Sequence, residues 1–379
     1  MKKRLLAIIA TVAMVVAMMP SMVFGESYTE WTSDNSLPTS GTYKLTKNVT
    51  LTNNVTIGAW SGSTSTLTLD LNGYTVKLTG SKNNILYVQN SGKLIIEDSV
   101  GTGKITNEGV TTTTNYVIQV KGSCEIKGGT IENTLSSGAA VHVQGETKQA
   151  SCILNGGKIL NSYASGAKAV NVASKAIFTM NGGIVESKAT GTGGETSAIN
   201  GGLIEIAGGK IVTPGTAVES NNDVKVTGGE IEAGTYAFKT NKLVVDPAEG
   251  KTVDVSAGVS VFNPLLNNSN NNSIKGGNFD APMLSKPCEY DDSVVGVTGG
   301  TFKNGNEIMD VKEFIGGELI QDASGAVVEK PAPAPTQPTA PAKPTDSPNT
   351  GDNTVAPFAV AGLVLAAMAA AVVARRRYN

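Results

Sequence analysis

A short phrase recurs along this chain: Gly-Gly, any residue, then an apolar residue. It begins at Gly128, Gly156, Gly182, Gly201, Gly208, Gly228, Gly276, Gly299 and Gly316. With Gly208 as the marker of its region, most successive phrases are 17 to 28 residues apart. The step from Gly228 to Gly276 is twice as long and reads as two units, one of them lacking the glycines. Repeats of this length, built from short apolar runs and glycine turns, specify a stack of coils in which each unit buries its apolar face against the next.

Aligning the phrases shows what is stacked. Four residues before the first glycine stand Cys124, Cys152, Phe178, Ile204 and Val224, and two before it stand Ile126, Leu154, Met180, Ile206 and Val226. These columns are a period-two strand with one face buried. Three residues after the first glycine come Ile131, Ile159, Val185, Ile211, Ile231, Phe279, Phe302 and Leu319. They lie an odd five residues beyond the second column, so the chain must turn at the glycines to keep both inside. Each unit is thus a β-coil with a corner, and like side chains pile on like at about 4.8 Å per rung.

A further strand precedes each phrase. It reads Leu86-Tyr87-Val88, Ile118-Gln119-Val120, Val141-His142-Val143 and Val170-Asn171-Val172, and more loosely Ile199-Asn200, Val218-Glu219 and Phe238-Lys239. One polar or aromatic residue between two apolar ones predicts an outward column of Tyr87, Gln119, His142, Asn171, Asn200, Glu219 and Lys239. Its first five members are the candidate ligand-binding residues, because amides and an aromatic ring suit sugars. Solvation of the solenoid is the plainer reading of the same column.

Leu69-Asp70-Leu71-Asn72-Gly73 and Asn155-Gly156-Gly157-Lys158-Ile159 are the phrases by which the chain resembles the right-handed parallel β-helix proteins of the pectate-lyase-like superfamily, over roughly residues 42 to 320. The resemblance implies an all-β, right-handed parallel β-helix of about ten coils. It spans 66–328, behind an N-terminal cap and first rung at 26–65. The family includes polysaccharide lyases, glycoside hydrolases, phage tailspikes and surface adhesins, and a fold alone does not choose among them. Its lyases commonly use an Arg or Lys base with calcium held by acidic residues, and its hydrolases use clustered Asp.

This chain has arginine only at Arg4 and Arg375–Arg377, and its acidic residues do not gather on one column. No catalytic residue, resident cofactor or metal is therefore expected. Asp70, Asp98 and the group Glu289, Asp291 and Asp292 are the carboxylates that calcium would use. His142, the only histidine, is the one candidate general base. Cys124 and Cys152 fall in one column of consecutive coils, close enough for a disulfide, with two packed thiols the preferred alternative.

The ends specify an address. Residues 1–25 run from Lys2, Lys3 and Arg4 through an apolar stretch to Gly25, the order of a secretory signal peptide. Residues 329–346 are rich in proline and alanine, which favours an extended spacer of about 50 to 60 Å. The motif segment 347–352, Ser347-Pro348-Asn349-Thr350-Gly351-Asp352, then precedes an apolar segment at 355–374, read as a transmembrane helix, and a basic tail at 375–379. That order resembles a Gram-positive cell-wall sorting signal, with Ser347 where the family has Leu. The resemblance implies a sortase that cleaves between Thr350 and Gly351 and joins the chain to peptidoglycan.

The formal charge of −2 becomes −7 once the leader and everything after Thr350 are removed. With no basic stripe to neutralise phosphates, nucleic acid is not an expected partner. The sequence thus predicts an extracellular, wall-anchored surface protein that is an adhesin or glycan-binding module, its ligand a polysaccharide or host glycoprotein. A polysaccharide-degrading enzyme and a passive spacer are the alternatives.

Overall fold

The computed structural model describes residues 27–331, apart from 113, 146–148, 165, 191–195, 265–271 and 285–294. The expected leader, nearly all of the proline-rich run, the motif Ser347–Gly351, the apolar segment and the basic tail lie outside these residues. So do Cys288, Glu289, Asp291 and Asp292. The chain divides into two units, Met1–Lys330 and Pro331–Asn379, and every described strand belongs to the first.

The strands form a parallel β-solenoid of about nine turns. Three faces run along it. The first carries Ser65–Asp70, Gly92–Glu97, Ser123–Ile126 and Ser151–Leu154, each pairing in parallel with the next. The second carries Thr75–Leu78, Lys104–Thr106, Thr130–Asn133, Lys158–Asn161 and Ile184–Ser187. The third carries Val55–Ile57, Asn84–Val88, Thr114–Val120 and Ser137–Val143. Later rungs have fewer loop residues. There, single strands such as Ile199–Thr213 and Val218–Ala233 run round the corners and serve all three faces.

The three apolar columns predicted from the repeat point inward. Cys124, Cys152, Phe178, Ile204 and Val224 are consecutive register partners on the first face, and Ile131, Ile159, Val185, Ile211 and Ile231 on the second. All ten are buried. Full burial of such a side chain contributes about 1.5–3 kcal/mol, and every rung repeats the set. The corner between these faces falls at the glycine pair. Gly157 has φ 72°, and a Cβ there would lie 2.5 Å from the carbonyl oxygen of Gly129 in the rung before. The second glycine is thus required twice, for a left-handed backbone and for contact between stacked corners.

The sequence predicts about ten coils, and the structure has about nine. The last phrase makes the difference. Gly316-Gly317 leads into Leu319–Gln321, which pairs antiparallel with Val327–Glu329 instead of adding a rung, so Leu319 does not join the inward column. This hairpin closes the end of the stack: Phe302 donates its N–H to the Gly325 carbonyl at 3.0 Å, and Val327 donates to Gly300 at 2.9 Å. Phe279 and Phe302 stack beneath it with ring centroids 4.9 Å apart. At the other end Thr29–Trp31 pairs with Gly41–Leu45, and the main-chain carbonyl of Asp34 accepts the N–H of Thr50 at 2.7 Å.

The buried residues also include a polar ladder. Asn107, Asn133 and Asn161 are fully buried and joined in a ladder. The Asn107 amide donates to Asn133 Oδ1 at 2.7 Å, Asn133 Nδ2 to Asn161 Oδ1 at 3.2 Å, and Asn161 Nδ2 to Ser187 Oγ at 3.2 Å. Each also holds the bend that leaves the second face, as when Asn133 Nδ2 donates to the Leu135 carbonyl at 3.0 Å. Asn133, Asn161 and Ser187 all stand five residues after the first glycine of their phrase, where later repeats have Thr213 and Ala233.

Candidate functional site

The third face places the predicted outward residues in one row. Thr56, Tyr87, Gln119, His142, Asn171, Asn200, Glu219, Lys239 and Asn263 are successive register partners. Their flanking apolar neighbours are buried, while Tyr87, Gln119, His142, Asn171 and Asn200 are half-buried. Strand alternation alone produces this, because successive side chains leave a strand on opposite faces.

Hydrogen bonds tie the row together. Asn84 Nδ2 donates to Gln119 Oε1 at 2.9 Å, and Gln119 Nε2 donates to Gln144 Oε1 at 2.7 Å. Asn171 Nδ2 lies 2.9 Å from His142 Nδ1. With the amide as donor, His142 Nδ1 is the acceptor and Nε2 carries the proton. Farther along, the row changes character, for Glu219 and Lys239 pair at 3.3 Å.

Aromatic rings flank the amides. Tyr116 stacks on His142 with centroids 4.4 Å apart and planes at 19°. Trp60, 57% exposed, stands near the start of the row, and the Lys121 ammonium lies 5.6 Å from its ring centroid and 6.0 Å from that of Tyr87. Burial drives the His142 pKa down to about 4; the contact with Asn171 opposes this and the nearby Lys168 charge adds to it. His142 is therefore neutral near pH 7. It offers one donor beside a stacked ring, and with so low a pKa it is a weak general base there.

The other sequence candidates have different occupations. Asp70 Oδ1 accepts the backbone N–H groups of Asn72 and Ser99, both at 2.9 Å, and Lys44 lies 3.5 Å from Oδ2. Asp98 accepts from Gly73 at 2.8 Å and from Gly103 at 2.6 Å. Both carboxylates hold corners of the coil. Burial favours protonation of Asp70, but its hydrogen bonds to Ser99 and Asn72 and the Lys44 charge outweigh this and lower its pKa. Among the described residues, no group of three or more His, Cys, Asp or Glu could hold a metal ion. Cys124 and Cys152 are register partners and buried free thiols.

A recess of about 280 Å³ opens on the second face beside Glu230, Glu232, Asp254 and Asp280. Two of its carboxylates are taken by Lys210, at 3.0 Å to Glu230 and 2.7 Å to Glu232. This is ordinary cross-rung charge pairing, seen also at Lys104–Glu132 and Lys158–Glu186.

The sequence reading missed Trp60, Asn84, Tyr116 and Gln144 on the third face. They lie beyond the central apolar-polar-apolar triplets, near corners where the period-two signal ends. The buried asparagine ladder was also missed, although its recurrence five residues after the glycines is visible in the sequence. Comparison of the chain with protein-family models, with curated proteins and with solved structures found no match.

Proposed function

We propose that this chain is a secreted, wall-anchored surface protein whose third face binds glycans, on a polysaccharide or a host glycoprotein. The observation that carries the reading is the in-register row from Tyr87 to Asn200, with its linked amides and neighbouring rings. Sugars present hydroxyl donors and acceptors at their edges and C–H groups on their faces. Amides answer the first and aromatic rings the second. The row is held by the rungs and cross-linked by its own hydrogen bonds, so little side-chain freedom would be lost on binding. Its central stretch carries no ionised side chain in the row itself, which suits hydrogen bonding with neutral groups.

The address rests on the two ends of the sequence. The leader directs export, and a sortase cleaves between Thr350 and Gly351 and passes Thr350 to peptidoglycan. The proline-rich run then carries the solenoid clear of the wall.

The test compares the full chain with a variant carrying Tyr87→Ala, Gln119→Ala and Asn171→Ala on a panel of plant, host and microbial glycans. The reading predicts binding to at least one glycan and its loss in the variant. Unchanged binding by the variant, or none by either protein, would contradict it. New reducing ends or unsaturated products would replace it with an enzymatic function. Thr350→Ala is expected to leave the chain unlinked to peptidoglycan.

A further inference from the structure

The outward side of the second face carries a charge order that inverts between its ends. Over eight successive rungs its charged residues are Lys77, Lys104, Glu132, Lys158, Glu186, Lys210, the pair Glu230 and Glu232, and Asp254. Counted inward from the two ends, each rung matches one of opposite sign: Lys77 with Asp254, Lys104 with Glu230 and Glu232, Glu132 with Lys210, and Lys158 with Glu186. Within the chain, three lysines pair with a carboxylate one rung on: Lys104 with Glu132 at 2.9 Å, Lys158 with Glu186 at 2.6 Å, and Lys210 with Glu232 at 2.7 Å. Lys77 and Asp254, at the two ends, are in no ion pair among the described residues. A recess marks each end: one of about 380 Å³ lies beside Lys77, Lys104 and Glu108, and the recess of about 280 Å³ lies beside Glu230, Glu232 and Asp254. Between them the outward apolar residues Leu160, Ile184 and Val212 stand on consecutive rungs, Ile184 being 39% exposed.

We propose that the second face docks on the second face of another copy of this chain, the two stacks running antiparallel about a two-fold axis. The axis lies along the strands, between the rungs of Lys158–Asn161 and Ile184–Ser187. It sets the first of the eight rungs in one copy over the eighth in the other, and so on inward, as a self-complementary two-fold contact requires. Every facing rung is then opposite in charge, each basic recess lies on an acidic one, and Leu160 and Ile184 meet at the axis. The next rungs out, those of Thr50 and Asp280, add no like-charge contact. The two outward positions of a strand are about 6.6 Å apart, a step that the long, flexible lysine stem spans. A parallel pair would set each rung on itself, like charge on like. Eight rungs at about 4.8 Å by four residues at about 3.3 Å cover about 500 Å² a side, about 1,000 Å² in all, which reaches the lower bound for a specific interface. The third face lies outside this contact, so the proposal does not depend on glycan binding. Val327–Glu329 ends the stack, so the two chains leave such a pair at opposite ends. Two copies anchored as proposed above would therefore belong to two cells, a step that rests on that anchoring.

The purified full chain, kept in mild detergent because of its apolar segment, is followed by analytical ultracentrifugation at about 50 mM and about 500 mM salt. A dimer is expected at low salt, with Kd about tenfold higher or more at high salt, because exposed charges are screened. Two double variants then reverse one end each. Lys77→Glu with Lys104→Glu sets acid on acid, and Glu230→Lys with Asp254→Lys sets base on base. Alone, each should raise the Kd about tenfold or more. An equimolar mixture of the two should restore it to within about threefold of the unsubstituted chain, since the reversed ends match each other. Restoration also shows that both variants are folded.

A chain that stays monomeric at low salt would overturn the proposal. So would dimers that neither double variant weakens, a mixture no tighter than its components, or assemblies that grow past the dimer. For the bridging step, cells displaying the unsubstituted chain should clump, and cells displaying the two variants should clump only when mixed. Unclumped cells, when the purified chain dimerises, would overturn the bridging of cells alone.

Discussion

Replacing Asn133 by alanine should weaken this solenoid far more than replacing Asn155. Asn133 is fully buried. Its side chain accepts from Asn107 Nδ2 at 2.7 Å and from the Leu135 N–H at 3.4 Å, and donates to the Leu135 carbonyl at 3.0 Å and to Asn161 Oδ1 at 3.2 Å. Four bonds at about 1 kcal/mol net would sum to about 4 kcal/mol. One of the partner atoms keeps another bond, since Asn161 Oδ1 still accepts the Tyr163 N–H, whereas Asn107 Nδ2 loses the acceptor it has in Asn133. About 3 kcal/mol is the expected loss, or roughly 5 °C in Tm for a domain of about 300 residues.

Asn155 belongs to an amide ladder too, donating to Glu125 Oε1 and accepting from Asn181 Nδ2, each at 2.9 Å, but on the outside. Water replaces those bonds, so Asn155→Ala should stay within about 0.5 kcal/mol. Urea unfolding of both variants, followed by far-ultraviolet circular dichroism, measures the difference. Equal losses would refute the assignment of the inner ladder as a stabilising element.

Three further outcomes are expected. Gly157→Ala should cost several times more than Gly305→Ala: both have positive φ, but only the Gly157 Cβ would meet backbone, 2.5 Å from Gly129 O, and thermal unfolding of the pair reads this directly. His142, with a folded pKa near 4 against the usual 6.5, should give stability that is complete above about pH 6.5 and declines as pH falls towards 4, because the unfolded chain takes up the proton first. As the only histidine, it can be titrated without ambiguity by NMR, and a midpoint above 6 would contradict the burial argument. Cys124 and Cys152 should resist thiol reagents until the chain unfolds, since the side-chain hydrogen bond with Cys152 and burial both raise the Cys124 pKa; rapid labelling of the native chain would show that the rungs open there.

The parts of the fold that follow a strict period were legible in the sequence. Cys124, Cys152 and Phe178 occupy neighbouring rungs because they share one offset from the glycines, and Gln119, His142 and Asn171 align because each sits between two apolar residues. What breaks the period was not legible. Gly316-Gly317 repeats the phrase, yet the segment after it has an antiparallel partner in Val327–Glu329, and no local signal distinguishes a last rung from a hairpin. Tyr116 reaches His142 from the far end of its strand, across a rung, so the stack depends on register and not on sequence neighbourhood. The buried oxygens Asn84 Oδ1 and Gln89 Oε1, unpartnered among the described residues, depend on side-chain packing alone.

The most direct test of the glycan-binding account is hydroxyl-radical footprinting of the full chain with the glycan that binds it most tightly. The account predicts protection of Trp60, Tyr87, Tyr116 and His142 on the third face, with Tyr43 and Tyr163 unchanged as controls elsewhere on the solenoid. Protection confined to other residues, with these four reacting as in the free chain, would contradict it.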